Sequence, residues 1–111
     1  AFITDAADTP ANRYAIIALA HNADILFIEA AFAGADAQLA AERAHLTTDA
    51  AGSLARAAGV RRVEPFHFSP RYSGQEDRMM NEVLVAFASG HHDFPGRLPT
   101  RDAGIACPWT D

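Results

Sequence analysis

Three titratable residues stand where apolar runs give out: Asp5 after Ala1 to Thr4, Glu29 after Ile25-Leu26-Phe27-Ile28, and His67 after Val60 to Phe66. Runs of this kind read as strands. In open parallel sheets, ligands and reacting groups gather at the carboxyl ends of the strands. Carboxylate and imidazole are the side chains of acid–base and metal chemistry, so three of them at one sheet edge point to a site. Taken singly, each would serve equally well as a turn or helix cap. Two other machines that use strand ends are excluded by residue type. A dinucleotide site needs glycines after the first strand, and Asp5-Ala6-Ala7-Asp8 has none. A phosphoacceptor receiver domain needs a lysine, and the chain contains none.

The elements that must position these residues follow from periodicity and caps. Asp8-Thr9-Pro10 reads as a turn that caps a helix, and Tyr14, Ile17, Ala18 and His21 recur at helical spacing behind it. A helix is expected from Asp36 to Arg43, and another from Thr47 or Thr48 to Gly59, a natural C-cap. Met79, Met80, Val83, Leu84 and Phe87 carry a last helix, which Gly90 stops. Beyond it Pro95, Pro99 and Pro108 predict an extended tail over 90–111, in which His91-His92-Asp93 reads as solvated and Cys107 and Trp109 as anchors on an apolar surface. Strands alternating with helices make this an α/β chain with a parallel sheet.

The 111 residues allow one compact domain, and half of them are hydrophobic. No apolar run is long enough for a membrane helix, and the lone Cys107 fits a reducing, cytoplasmic setting. All nine basic residues are Arg and the net charge is −5, which disfavours nucleic-acid binding by the bulk surface and leaves a local Arg patch as the route to it. Because the text opens without Met on Ala1-Phe2-Ile3-Thr4, it reads as part of a longer polypeptide.

Four blocks then carry a family resemblance: Asn22-Ala23-Asp24-Ile25-Leu26-Phe27-Ile28-Glu29-Ala30-Ala31-Phe32, His45-Leu46-Thr47, Ala57-Ala58-Gly59-Val60-Arg61-Arg62, and His67-Phe68-Ser69-Pro70-Arg71-Tyr72. In order and spacing they resemble the ribonuclease Z-type members of the metallo-β-lactamase superfamily, over residues 1–89. The resemblance implies the C-terminal half of an αβ/βα sandwich and a two-zinc centre. It makes Asp5 the carboxylate that bridges the metals, with Asp8 the next choice, and His67 the last metal histidine. It matches Glu29 and His45 to a pair that helps to protonate the leaving oxygen. Arg71 and Tyr72 would offer a guanidinium fork and a hydroxyl to a phosphate oxygen.

The chain departs from the family pattern at Ile28, Ala31 and Leu46, where the loops usually carry His, Thr and Ser. The His-x-His-x-Asp-His motif of the family's N-terminal half is not in the sequence. Asp5 and His67 alone would therefore hold zinc weakly or not at all, since catalytic zinc takes three protein ligands. The implied substrate is a phosphodiester or another small ester, and the implied partner is the N-terminal half or a second copy of the chain. The alternative is a noncatalytic binding or dimerisation module built on the same fold. Independently of the family, two right-handed crossovers put both helices on one sheet face. Alternate side chains of Phe2, Ile25 to Ile28 and Val63 should then face away from them and need another layer.

Overall fold

A computed structural model describes residues 1–89; the expected tail over 90–111, with His91-His92-Asp93, Cys107 and Trp109, lies outside the described residues. Within it the order is β1 (Phe2–Ile3), α1 (Pro10–Ala20), β2 (Ile25–Glu29), α2 (Ala37–Glu42), α3 (Thr48–Ala58), β3 (Arg62–Phe66) and α4 (Glu76–Ser89). Short 3-10 turns at Gly34–Asp36 and Pro70–Tyr72 precede α2 and α4. The strands form one parallel sheet in the order β1-β2-β3. The chain is thus α/β with strands and helices alternating, as a partial metallo-β-lactamase-type fold would be.

Local chemistry sets these boundaries. Thr9 caps α1 by accepting the Asn12 N–H at 3.1 Å, while Asp8 is taken up by a two-point ion pair with Arg13. Thr47 caps α3 in the same way through the Ala50 N–H, and Gly59 ends it at φ 72°, where a residue with a Cβ would be strained. Pro65 is tolerated in β3 because that strand is an edge of the sheet and need not donate on both sides.

The register decides which side chains enter the core. Ile3 lies opposite Ile28, and Leu26 opposite Val63, so these four share one face and are buried beneath α1 and α3. Those helices touch each other, and α4 packs against α3. On the other face Phe2 is 62% and Phe27 43% exposed, and the Phe2 ring stacks on Phe66 with centroids 4.9 Å apart. The expectation for Val63 is therefore corrected. It points into the helix layer because it pairs with Leu26, and Phe66, three residues on, takes the outward place.

Candidate functional site

The carboxyl edge of the sheet gathers Asp5, Glu29, His45 and His67 around one carboxylate. Glu29, the last residue of β2, is fully buried. Its Oε1 accepts the backbone N–H of Asp5 at 3.2 Å and the Thr4 hydroxyl at 3.5 Å. Its Oε2 lies 2.6 Å from His45 Nδ1, and Oε1 lies 3.3 Å from His67 Nδ1. The two imidazole rings stand edge to face, 6.0 Å apart at 81°. A carboxylate out of water is retained where donors surround it, and here Thr4, Asp5 and His45 hydrogen-bond to it while His67 stands at ion-pair distance.

The backbone brings these residues in by an uncommon route. Asp5 and His67, the first residues past β1 and β3, have φ of 54° and 60°, and Ala44, just before His45, has 57°. Each non-glycine residue in this left-handed region costs about 1 kcal/mol or more. Three such residues border one cluster, and strain of this kind collects where side-chain placement matters more than local stability. Asp5, Glu29 and His45 each present a ligand atom within 4.8 Å of the others, a set of oxygen and nitrogen donors that suits a divalent metal. The sequence pairs Asp5 with His67 as ligands; the geometry groups Asp5 instead with Glu29 and His45, and His67 approaches only the Glu29 carboxylate.

The remaining expected residues fall outside this cluster's hydrogen bonds. Tyr72 is buried; its hydroxyl donates to Asp36 and accepts the Ala33 N–H at 3.0 Å, so it is committed within the fold rather than open to a phosphate. Burial and the Asp36 carboxylate both push this phenol's pKa up. Arg71 is exposed, with its guanidinium 5.9 Å from the centre of the Tyr72 ring.

Two supports escaped sequence reasoning. Asp36 holds Tyr72, and Glu82 on α4 accepts the Thr48 hydroxyl at 2.6 Å and the Gly34 N–H at 3.1 Å while Arg78 donates to its other oxygen at 3.2 Å. In sequence Glu82 looks like any carboxylate on the wet side of an amphipathic helix. Burial alone would raise its pKa, but the donors Thr48, Gly34 and Arg78 outweigh that and hold it below the ordinary 4.5. A lowered carboxylate stabilises the fold above its unfolded-state pKa and loses that contribution as pH falls through its folded value. Glu82→Gln should therefore cost about 1 kcal/mol at neutral pH and flatten the acid limb of stability below pH 4.5, in thermal melts taken across pH.

No family model matches the chain. Among curated proteins it is 48% identical over 73 residues to a ribonuclease Z of Thermobifida fusca, covering 65% of this chain and 23% of that protein. It is 40% identical over 86 residues to a ribonuclease Z of Crocosphaera subtropica, 78% of this chain and 27% of that one. A ribonuclease Z of Nostoc punctiforme is 51% identical over 68 residues, 61% and 21% of the respective lengths. The chain spans about a quarter of the length of the curated relatives it matches.

Proposed function

This chain is a ribonuclease Z-like segment of the metallo-β-lactamase superfamily, and from that premise we propose that it supplies half of the centre of a zinc-dependent phosphodiesterase. The observation that carries the reading is the convergence of Asp5 and His67, both in the left-handed backbone region, on the buried Glu29. Asp5 and His67 would hold zinc, and the donor chemistry fits: a carboxylate at one strand end, and an imidazole whose Nε2 makes no hydrogen bond among the described residues. Bound zinc supplies an activated water and stabilises negative charge on a phosphoryl oxygen.

The chain's own residues do the rest. Glu29 orients His45, and His45 holds a proton for the leaving oxygen. Arg71, four residues beyond His67 and exposed, offers its fork to a phosphate oxygen. The substrate class is a phosphodiester, RNA included, or a small ester. With a net charge of −5, any RNA contact would rest on a local Arg patch. The remaining ligands come from the N-terminal half or from a second copy of the chain. Among the described residues no helix is long and apolar enough to cross a membrane, and the lone Cys107 suits a cytoplasmic setting.

The 111-residue chain alone is expected to bind zinc weakly in chelator competition and to leave a chromogenic phosphodiester intact. Joined to an upstream segment that carries His-x-His-x-Asp-His, it should turn the substrate over, and Asp5→Ala or His67→Ala should cut that turnover by roughly 100-fold or more. Tight stoichiometric zinc binding with turnover by the chain alone would overturn the division of ligands. A second reading, a noncatalytic module, rests on the face where the exposed Phe2 and Phe27 adjoin the half-buried Phe66, which suits assembly whether or not metal binds.

A further inference from the structure

Among the described residues, Asp5, Glu29 and His45 are the set of three metal-ligating side chains whose donor atoms all lie within 4.8 Å of one another, and His67 is not in it. The split follows from how the two imidazoles approach the buried carboxylate. His67 stands on the Oε1 side at 3.3 Å, where the Thr4 hydroxyl and the Asp5 N–H already donate. His45 meets Oε2 at 2.6 Å, and among the described residues it is the one group there. A cation at Oε2 therefore displaces a single contact, whereas one at Oε1 would displace two hydrogen bonds. The exposed Asp5 carboxylate accepts no hydrogen bond among the described residues, so it reaches an ion without breaking any. Two carboxylates and an imidazole are donors that zinc takes, and three protein donors with water in the fourth place make its open pattern. Donor atoms around one tetrahedral zinc stand about 3.3 Å apart, so the Glu29–His45 pair need widen by only about 1 Å to admit it. Glu29 is fully buried, and a divalent ion neutralises a charge held out of water more completely than hydrogen bonds do.

We propose that this chain carries a zinc seat of its own, made by Asp5, Glu29 and His45 and distinct from the Asp5–His67 pairing that the family resemblance implies. The seat is inhibitory, because it takes the two side chains that proton transfer to the leaving oxygen needs. While both ligate zinc, Glu29 no longer orients the ring and His45 no longer holds a proton. The seat itself follows from this chain's geometry; its inhibitory consequence rests on the phosphodiesterase reading. Zinc held weakly by the chain alone is held here, and the weakness has a cause. Glu29 must give up its bond to His45 before both can turn to the ion.

Zinc alone is the probe, added to the full 111-residue chain. In carbon–proton correlation spectra of the histidine rings, the His45 signals should shift or broaden at the lowest zinc concentrations, and those of His67 only later. In chelator competition His45→Ala should weaken zinc by at least about 10-fold more than His67→Ala does, since losing even a group that merely supports a ligand costs about 10–100-fold. Zinc that moves another histidine first would overturn the seat, as would rings left unmoved up to millimolar zinc. These spectra are of the unsubstituted chain, so they decide even where a variant does not fold. Affinity lost in His67→Ala and kept in a folded His45→Ala chain would overturn it too. Joined to an upstream segment, the protein should lose turnover as zinc is raised beyond the amount that activates it. His45 shifts without that loss would overturn the inhibitory role. The same shifts with no turnover at any zinc concentration would sink the phosphodiesterase reading and support the seat.

Discussion

Gly52→Ala is expected to destabilise the chain by about 2 kcal/mol or more, although alanine is the better helix former. Gly52 sits in the middle of α3 where α4 crosses it. A Cβ there would come within 2.3 Å of the Val83 carbonyl oxygen, 2.8 Å of the Ala86 Cβ and 2.9 Å of the Phe87 nitrogen. Two of these are backbone atoms of a helix that cannot bend aside locally, so α4 as a whole must move. That movement would also pull Glu82 from Thr48 and Gly34, and Arg56 from the Phe87 and Ala88 carbonyls it caps. The loss is a large fraction of what a domain of this size has. Ser53→Ala, one residue along, is the control: Ser53 is buried and its hydroxyl has no partner among the described residues, so its removal should leave stability equal or higher. Urea denaturation of the two variants side by side checks the contrast, and equal midpoints would count against the close crossing of α3 and α4.

The isolated chain is also expected to associate through the sheet face opposite its helices. Phe2, Phe27 and Phe66 form one aromatic patch there, with ring centroids 4.9 Å apart for Phe2 and Phe66 and 6.4 Å for Phe2 and Phe27. Leaving a few hundred Å² of such surface wet forfeits several kcal/mol, at roughly 25 cal/mol per Å². The Arg62–Glu64 pair, 2.9 Å apart, borders the patch on β3 and gives it a polar margin, as interfaces have. In light scattering the mass should rise with concentration toward a symmetric pair. The double variant Phe2→Ser, Phe27→Arg should stay monomeric with its helices intact. A monodisperse monomer of the unsubstituted chain at high concentration would contradict this.

Much of the scaffold is legible because its signals are local. Ile25 to Ile28 reads as a strand, Thr47 and Gly59 bracket α3 by cap chemistry, and Met79 to Phe87 repeat at helical period. The strand ends then bring Asp5, Glu29 and His67 to one edge through topology alone. What escapes is set by pairing across the chain. Val63 could face either way until its register with Leu26 is known, because a slip of one residue reverses every side chain. The stretch from Asp36 reads as one helix, whereas Gly34–Asp36 turns more tightly before α2 begins at Ala37. Tyr72 looks like a free hydroxyl until Asp36, thirty-six residues before it, is seen to hold it. His45 has no periodic or strand-end signal of its own and is reached only through the family resemblance.

The segment between β2 and α2 is neither strand nor helix through Ala33, yet its backbone groups are claimed from elsewhere. The Ala33 N–H goes to the Tyr72 hydroxyl, the Gly34 N–H to Glu82, the Phe32 carbonyl to the Thr48 N–H and the Ala31 carbonyl to the Ser69 N–H. Amide hydrogens in an irregular loop ordinarily trade with solvent quickly; those of Ala33 and Gly34 cannot do so until the polypeptide following β3 lifts away, and that of Phe32 is held by the Leu46 carbonyl ahead of α3. The loop that extends Glu29 therefore has no private opening motion. Its Gly34 end exchanges in step with α4, so the most distant helix in sequence shares in setting how long the carboxylate at the sheet edge stays in place.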